Sequence, residues 1–185
     1  LLIFPLFPKL FLPKNELPSS RFAMHSSLDA ESSSPLNSFA FAIPKKSSFE
    51  PFSKRLCNSA EQGLGILTGN LLKCRVFEFV AHSLSSEECG FVKEALLDPI
   101  LYEPPFAKMQ HSQFRSSVLV SKKHGVTDDE GLAAETSFTD CFSRTSPKIR
   151  THELYLVEKW LSENQLRLLA TSLLGNPLIH EFSYQ

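Results

Sequence analysis

Read as a pattern of apolar and polar positions, the chain writes one element twice. "LSSEECGFVKEALLDPILYE" at 84–103 and "LSENQLRLLATSLLGNPLIHE" at 161–181 share a serine three positions before a Glu or Gln, a helical run and a proline. Ser85-x-x-Glu88 and Ser162-x-x-Gln165 are capping boxes, in which the serine oxygen takes a first-turn amide and the longer side chain reaches back. After them Cys89, Val92, Ala95 and Leu96 in one copy, and Leu166, Leu169, Ala170 and Leu173 in the other, keep helical spacing. The helices are expected to stop at Pro99 and Pro177, the second with a left-handed Gly175-Asn176 ending, before an apolar strand.

A shift of about 77 residues brings further segments into line. "FAFAIPKK" at 39–46 falls on "SSVLVSKK" at 116–123, and "VFEFVAHS" at 76–83 on "ELYLVEKW" at 153–160, all reading as strands. One offset held over strand, helix, strand, helix and strand predicts a duplication, each copy β-α-β-α-β. The second copy's strands are expected near 117–121, 148–157 and 178–184. Its first helix opens at a capping box, Thr127-x-x-Glu130, and buries Ala134, Phe138, Cys141 and Phe142. The matching helix of the first copy runs from about Pro51 through Phe52, Leu56 and Ala60. The predicted fold class is α/β of the α+β kind: two tandem units packed as a pseudo-dimer, each covering the other's open sheet face. Residues 37–108 are the degenerate first repeat, and residues 114–185 the better-kept second.

Composition narrows the function without redrawing this picture. Nineteen basic against 20 acidic residues leave a net charge of -1, with no long run of one sign, which argues against a nucleic-acid surface. Four cysteines with no CxxC pair suit buried reduced thiols in a cytoplasmic protein. The six histidines form no metal-ligand pattern. Residues 1–36 are set apart: "LLIFPLFPKLFLP" is too short and too broken by proline to span a bilayer, and it makes a poor signal peptide. A true start at Met24, a transit peptide and a disordered tail are the open readings of this segment.

The most motif-like stretch is "GVTDDEG", 125–131. Gly125 suits a turn of positive φ, and the acids favour a helix N-terminus while repelling a phosphate there. Trp160 reads as a core or interface aromatic, and His180 as a partly buried residue on a strand face with Leu178, Phe182 and Tyr184. The Lys pairs at 45–46 and 122–123 read as solvated strand ends. No Walker loop, GxSxG elbow, HExxH or dinucleotide fingerprint occurs in the sequence. The residues therefore nominate no catalytic, cofactor-binding or metal-binding set. They point to a binding or assembly module, with Gly125, Thr127, Asp128, Gly131, Trp160, Asn176 and Pro177 as candidate interface.

"VLVSKKHGVTDDEG" followed by "HELYLVEKWLSENQLRLLATSLLGNPLIHEFSY" resembles the N-terminal region of phosphoribosylformylglycinamidine synthases, and more narrowly their small accessory subunit, which larger forms carry fused and often doubled. Residues 117–184 carry the likeness at Gly125, Val126, Thr127, Asp128 and Gly131, and again at Asn176, Pro177, Leu178 and Ile179. Residues 38–103 carry it only in degenerate form, with "SSFEPFS" in place of the glycine turn. The resemblance implies a non-catalytic part of an ATP-dependent glutamine amidotransferase ligase of purine biosynthesis. Its implied partners are the enzyme's synthetase and glutaminase domains, in cis or in trans, with no nucleic acid or membrane; ATP and magnesium belong to the complete enzyme. A stand-alone small-molecule sensor, a fragment of the long enzyme without activity of its own, and a gene remnant are the alternatives.

Overall fold

Among the described residues, alternating apolar positions become five strands, and the runs of helical spacing become the helices laid over them. The computed structural model describes residues 37–97, 101–102, 114–144 and 146–185, the side chains of 46–49 excepted. The expectations for residues 1–36 and for Pro99 lie outside the described residues. In chain order the elements are β1 (Ser38–Ala42), α1 (Lys46–Leu64), β2 (Leu71–Phe79), α2 (Ser86–Phe91), β3 (Ser116–Lys122), α3 (Asp129–Phe142), β4 (Ile149–Val157), α4 (Glu163–Leu169) and β5 (His180–Tyr184). The strands form one antiparallel sheet in the order β1-β2-β4-β3-β5, an α+β architecture. Among the described residues no helix is long and apolar enough to cross a membrane.

The expectation that each copy covers the other's open sheet face meets a different arrangement. The two segments join edge to edge, β2 running antiparallel to β4 from Leu71↔Val157 to Phe79↔Ile149, with Arg75↔Glu153 in the middle. Two apolar clusters on one face hold the helices. Leu56 and Ala60 of α1 meet Leu166 and Leu169 of α4 over Leu71, Val118, Val120, Tyr155 and Val157. Ala134 and Phe138 of α3 meet Phe91 and Val92 over Ala40, Ala42, Phe77, Phe79 and Ile149. Thus each cluster draws on both segments: α1 packs beside α4 of the second, and Phe138 of α3 against Phe91 of the first. Cys74, Val76, Leu154 and Leu156 point to the opposite face and form a third cluster with Leu72 and Leu119.

Both Ser85 and Ser162 cap as expected, each capping box complete. Both helices then end in a five-residue π segment, Val92–Leu96 and Ala170–Leu174. The offset is less uniform than the sequence suggests. Strand residues share a face only when Leu71 is matched to Ile149 and Ser38 to Ser116, one position further along than the match of Ser85 to Ser162. In the loop after β2, Ala81 adopts a positive φ of 51°.

Other boundaries move for local reasons. Helix α1 starts before Pro51 and ends at Gly65, whose φ of 66° is the left-handed stop. The cap of α3 is Asp128 rather than Thr127. Gly175 is extended, not left-handed; a Cβ there would lie 2.8 Å from His180 and 2.9 Å from Phe182, so close packing demands the glycine. β5 begins at His180 because Pro177 to Ile179 form a turn, and Leu178 is 82 % exposed instead of lying on the strand face. All four cysteines are free, and Cys141 is exposed where a buried position was expected.

Candidate functional site

The "GVTDDEG" stretch is a staple between a helix and a strand. Gly125 turns at φ 86°, with open space where a Cβ would sit, so conformation alone requires glycine there. Asp128 then caps α3 through Gly131 N–H (3.2 Å) and also accepts from Thr151 N–H (2.6 Å), Thr151 Oγ1 (2.7 Å) and Lys122 Nζ (3.0 Å). Burial opposes ionisation of this carboxyl, but the bonds from Thr151, Lys122 and Gly131 outweigh it and hold the group below its ordinary range. Gly131 lets the first turn of α3 touch β4: a Cβ would lie 2.5 Å from the Ile149 carbonyl oxygen. Thr127 is exposed beside the cap.

Lys123 joins this turn to a second corner. Its N–H donates to Ile179 O (2.9 Å) and its Nζ to Pro177 O (2.6 Å), while Val126 N–H closes the turn onto Lys123 O. Asn176 builds the corner, its Oδ1 accepting from Leu178 N–H at 3.0 Å and its own N–H donating to His180 Nδ1 at 3.0 Å. Lys122 and Lys123 are therefore structural ties, not merely solvated strand ends. Leu178 (82 %) and Ile179 (42 %) stand exposed at this corner.

Six of the seven candidate interface residues, Gly125, Thr127, Asp128, Gly131, Asn176 and Pro177, thus gather at one end of the sheet. Trp160 does not join them. Leu161 N–H is bonded to Ser116 Oγ at the start of β3, whereas the Gly125 turn follows its end, roughly 20 Å away along the strand. Trp160 is 65 % exposed, and Leu67 (64 %) lies near it, next to Thr68, whose carbonyl accepts from Lys159 N–H. The exposed apolar residues at these two ends are separate patches.

Two polar clusters escaped the sequence reading. On the face away from the helices, His152 bridges Ser121 Oγ (Nδ1, 2.8 Å) and Glu78 Oε2 (Nε2, 3.1 Å), and Asn37 Nδ2 donates to Glu78 Oε1 at 2.7 Å. The His152 hydrogen bond leads the causes that hold Glu78 below the ordinary carboxylate range. Serine, histidine and carboxylate in a row suggest a nucleophilic relay. Yet Ser121 lies within a strand paired on both sides and is only 9 % exposed, so the row ties strands together rather than offering a nucleophile. The second cluster surrounds Glu88, which is 2 % exposed. It accepts from Ser85 N–H, meets His82 Nε2 at 2.9 Å and pairs with Arg144 from beyond α3. A cleft of about 510 Å³ opens here, lined by His82, Ser85, Glu87, Glu88, Cys141 and Arg144. Only strand parity could have announced the first cluster, and parity does not say which strand lies next door. Among the described residues no group of histidine, cysteine and carboxylate side chains is placed to hold a metal.

Set against known proteins, the chain matches no family model and no curated protein. Its functional reading rests on its own residues.

Proposed function

We propose that this chain is the non-catalytic accessory region of a phosphoribosylformylglycinamidine synthase of de novo purine biosynthesis, bridging the synthetase and glutaminase domains in the cytoplasm. The supporting observation is the pair of exposed apolar contacts at opposite ends of one sheet, Leu178 with Ile179 and Trp160 with Leu67. A bridge needs two separated surfaces, and exposed apolar residues on well-tied backbone are what specific contacts use. The stretches that carry the resemblance build the first of these ends.

The finer architecture belongs to the same reading: two copies of one β-α-β-α-β unit arranged as a pseudo-dimer. The offset that carries Leu71 onto Ile149 also carries the β2–β4 ladder onto itself about Arg75↔Glu153. Paired capping boxes and paired π segments support it, as do two helix-side clusters that each draw on both halves. π segments account for well under 1 % of residues in globular proteins, so two at matching positions favour common descent of the halves.

The test is co-expression with synthetase and glutaminase domains, scored by co-purification and glutamine-dependent amination. Leu178→Asp is expected to release one partner, and Trp160→Ala the other at a cost of about 2 kcal/mol or more. Both variants should keep the native melting temperature. Wild-type chain that captures neither domain overturns the reading. The cleft beside Glu88 favours a second reading, a sensor of a small molecule; tight binding of a free amino acid or nucleotide there would establish it instead.

A further inference from the structure

The centre of the helix-covered face carries charge where the rest carries Leu, Val and Phe. Lys73 and Arg75 of β2 stand against Glu153 and Tyr155 of β4, between the two apolar clusters. Lys73 Nζ is ion-paired with Glu153 and lies 5.7 and 5.6 Å from the ring centres of Phe52 and Tyr155. Tyr155 Oη donates to Glu153 Oε2 at 2.7 Å, and Arg75 is paired with Glu130 of α3. Every cation of this set comes from the first half, and every anion from the second.

We infer that this sign difference makes the two halves selective for each other: β2 is coded to meet β4 and to refuse a second β2, and β4 likewise refuses a second β4. The inference rests on the two-copy reading above. A first half paired with its own kind in the same register would set Arg75 against Arg75, with a Lys73 to either side. A second half paired with itself would set Glu153 against Glu153 and leave each Glu130 without its arginine. Like charges directly opposite across strands destabilise a sheet, and half-buried positions weaken the screening that would relieve them.

A second contact works the same way at a distance. Glu88 of the first half is nearly sealed from water and takes Arg144 from the second. The offset of the strands matches Arg144 to Ile66, so self-pairing would remove the guanidinium from a buried carboxylate, which is strongly unfavourable. Across the strand centre, the same matching sets Lys73 with Thr151 and Arg75 with Glu153. The halves have diverged in charge where they touch.

The experiment uses the full chain with a protease site inserted between residues 108 and 109. Cleaved protein is unfolded in guanidinium chloride, refolded and weighed by native mass spectrometry. The expected product is the mixed pair, with either homodimer about tenfold or more below it. Homodimers in the proportions of random pairing would overturn the charge code. Pieces that refold without pairing would overturn the two-copy reading and the code with it. A second arm uses the uncut chain, where the same pairing is read from stability alone. Lys73→Glu with Arg75→Glu, and separately Glu130→Lys with Glu153→Lys, should each lower the melting temperature by about 5 °C. Combining all four should restore most of the loss. Purely additive losses would refute the inference.

Discussion

Asp128 shows how much one short side chain can settle. Its carboxylate closes the first turn of α3, takes the backbone and hydroxyl of Thr151 on β4, and neutralises Lys122 on β3. Asp128→Ala should therefore cost about 2–4 kcal/mol, more than an isolated cap, because Thr151 and Lys122 lose their acceptor as well. Chemical denaturation at pH 7 measures it. Gly131→Ala is expected to cost about 2 kcal/mol or more, since a methyl group cannot share space with the Ile149 carbonyl unless α3 moves off the sheet. By contrast, a substitution at Gly125 meets no neighbour and suffers only from φ, so Gly125→Asn should be far milder than Gly125→Val.

The acids also set the pH response. Asp128 is held below its ordinary 3.8, and Glu78, Glu88 and Glu153 below 4.5. A carboxyl whose pKa is lower in the folded state binds fewer protons there than in the unfolded chain. Its stabilisation is complete above the unfolded value and drains away as pH falls through the folded one. The urea midpoint should thus hold level from pH 7 to about 5 and then drop. Glu78→Gln, which keeps the shape but cannot ionise, should shallow that drop; an unchanged slope would show that Glu78 contributes nothing to it.

Among elements, the two capped helices look alike in sequence and differ in what their caps touch. Among the described residues the Gln165 side chain bonds only to Ser162, at the protein surface. Glu88 performs the same local task and also joins His82 within its own half and Arg144 across the two halves. Gln165→Ala should cost about 0.5–1 kcal/mol, the ordinary worth of a capping contact. Glu88→Ala should cost roughly 2 kcal/mol or more, the capping contact together with the bonds to His82 and Arg144. Thermal melts of the two variants, run together, test whether tertiary context or local chemistry governs the cap. The five described strands and both serine capping boxes were legible in the sequence because alternation and capping need only near neighbours. The start of α1 was not, since its proline was read as a boundary, and Gly175 misled because a contact with His180 and Phe182 cannot be seen along the chain.

For the whole molecule, the sharing of both helix-side clusters links the fates of the halves. Each of the two helix-side clusters draws on both segments, so neither retains its core if the other unfolds. One cooperative thermal transition is expected, followed equally by far-ultraviolet circular dichroism and by Trp160 fluorescence. Two resolved transitions would mean that the segments fold independently, which this packing does not allow.

By itself, the sequence determined the elements that depend on spacing: strand alternation, helical stripes, the serine caps and the turn at Gly125. It also located the segments that build one end of the sheet. Which face each strand presents to which neighbour was decided only in three dimensions. A shift of one residue reverses every side chain of a strand, and the offset read from the caps is one residue short of that which aligns the strands. The pairs Arg75 with Glu130, His152 with Glu78 and Arg144 with Glu88 follow from that register. Each joins residues far apart in the chain, and Coulomb attraction acts through space, so no local pattern announces it.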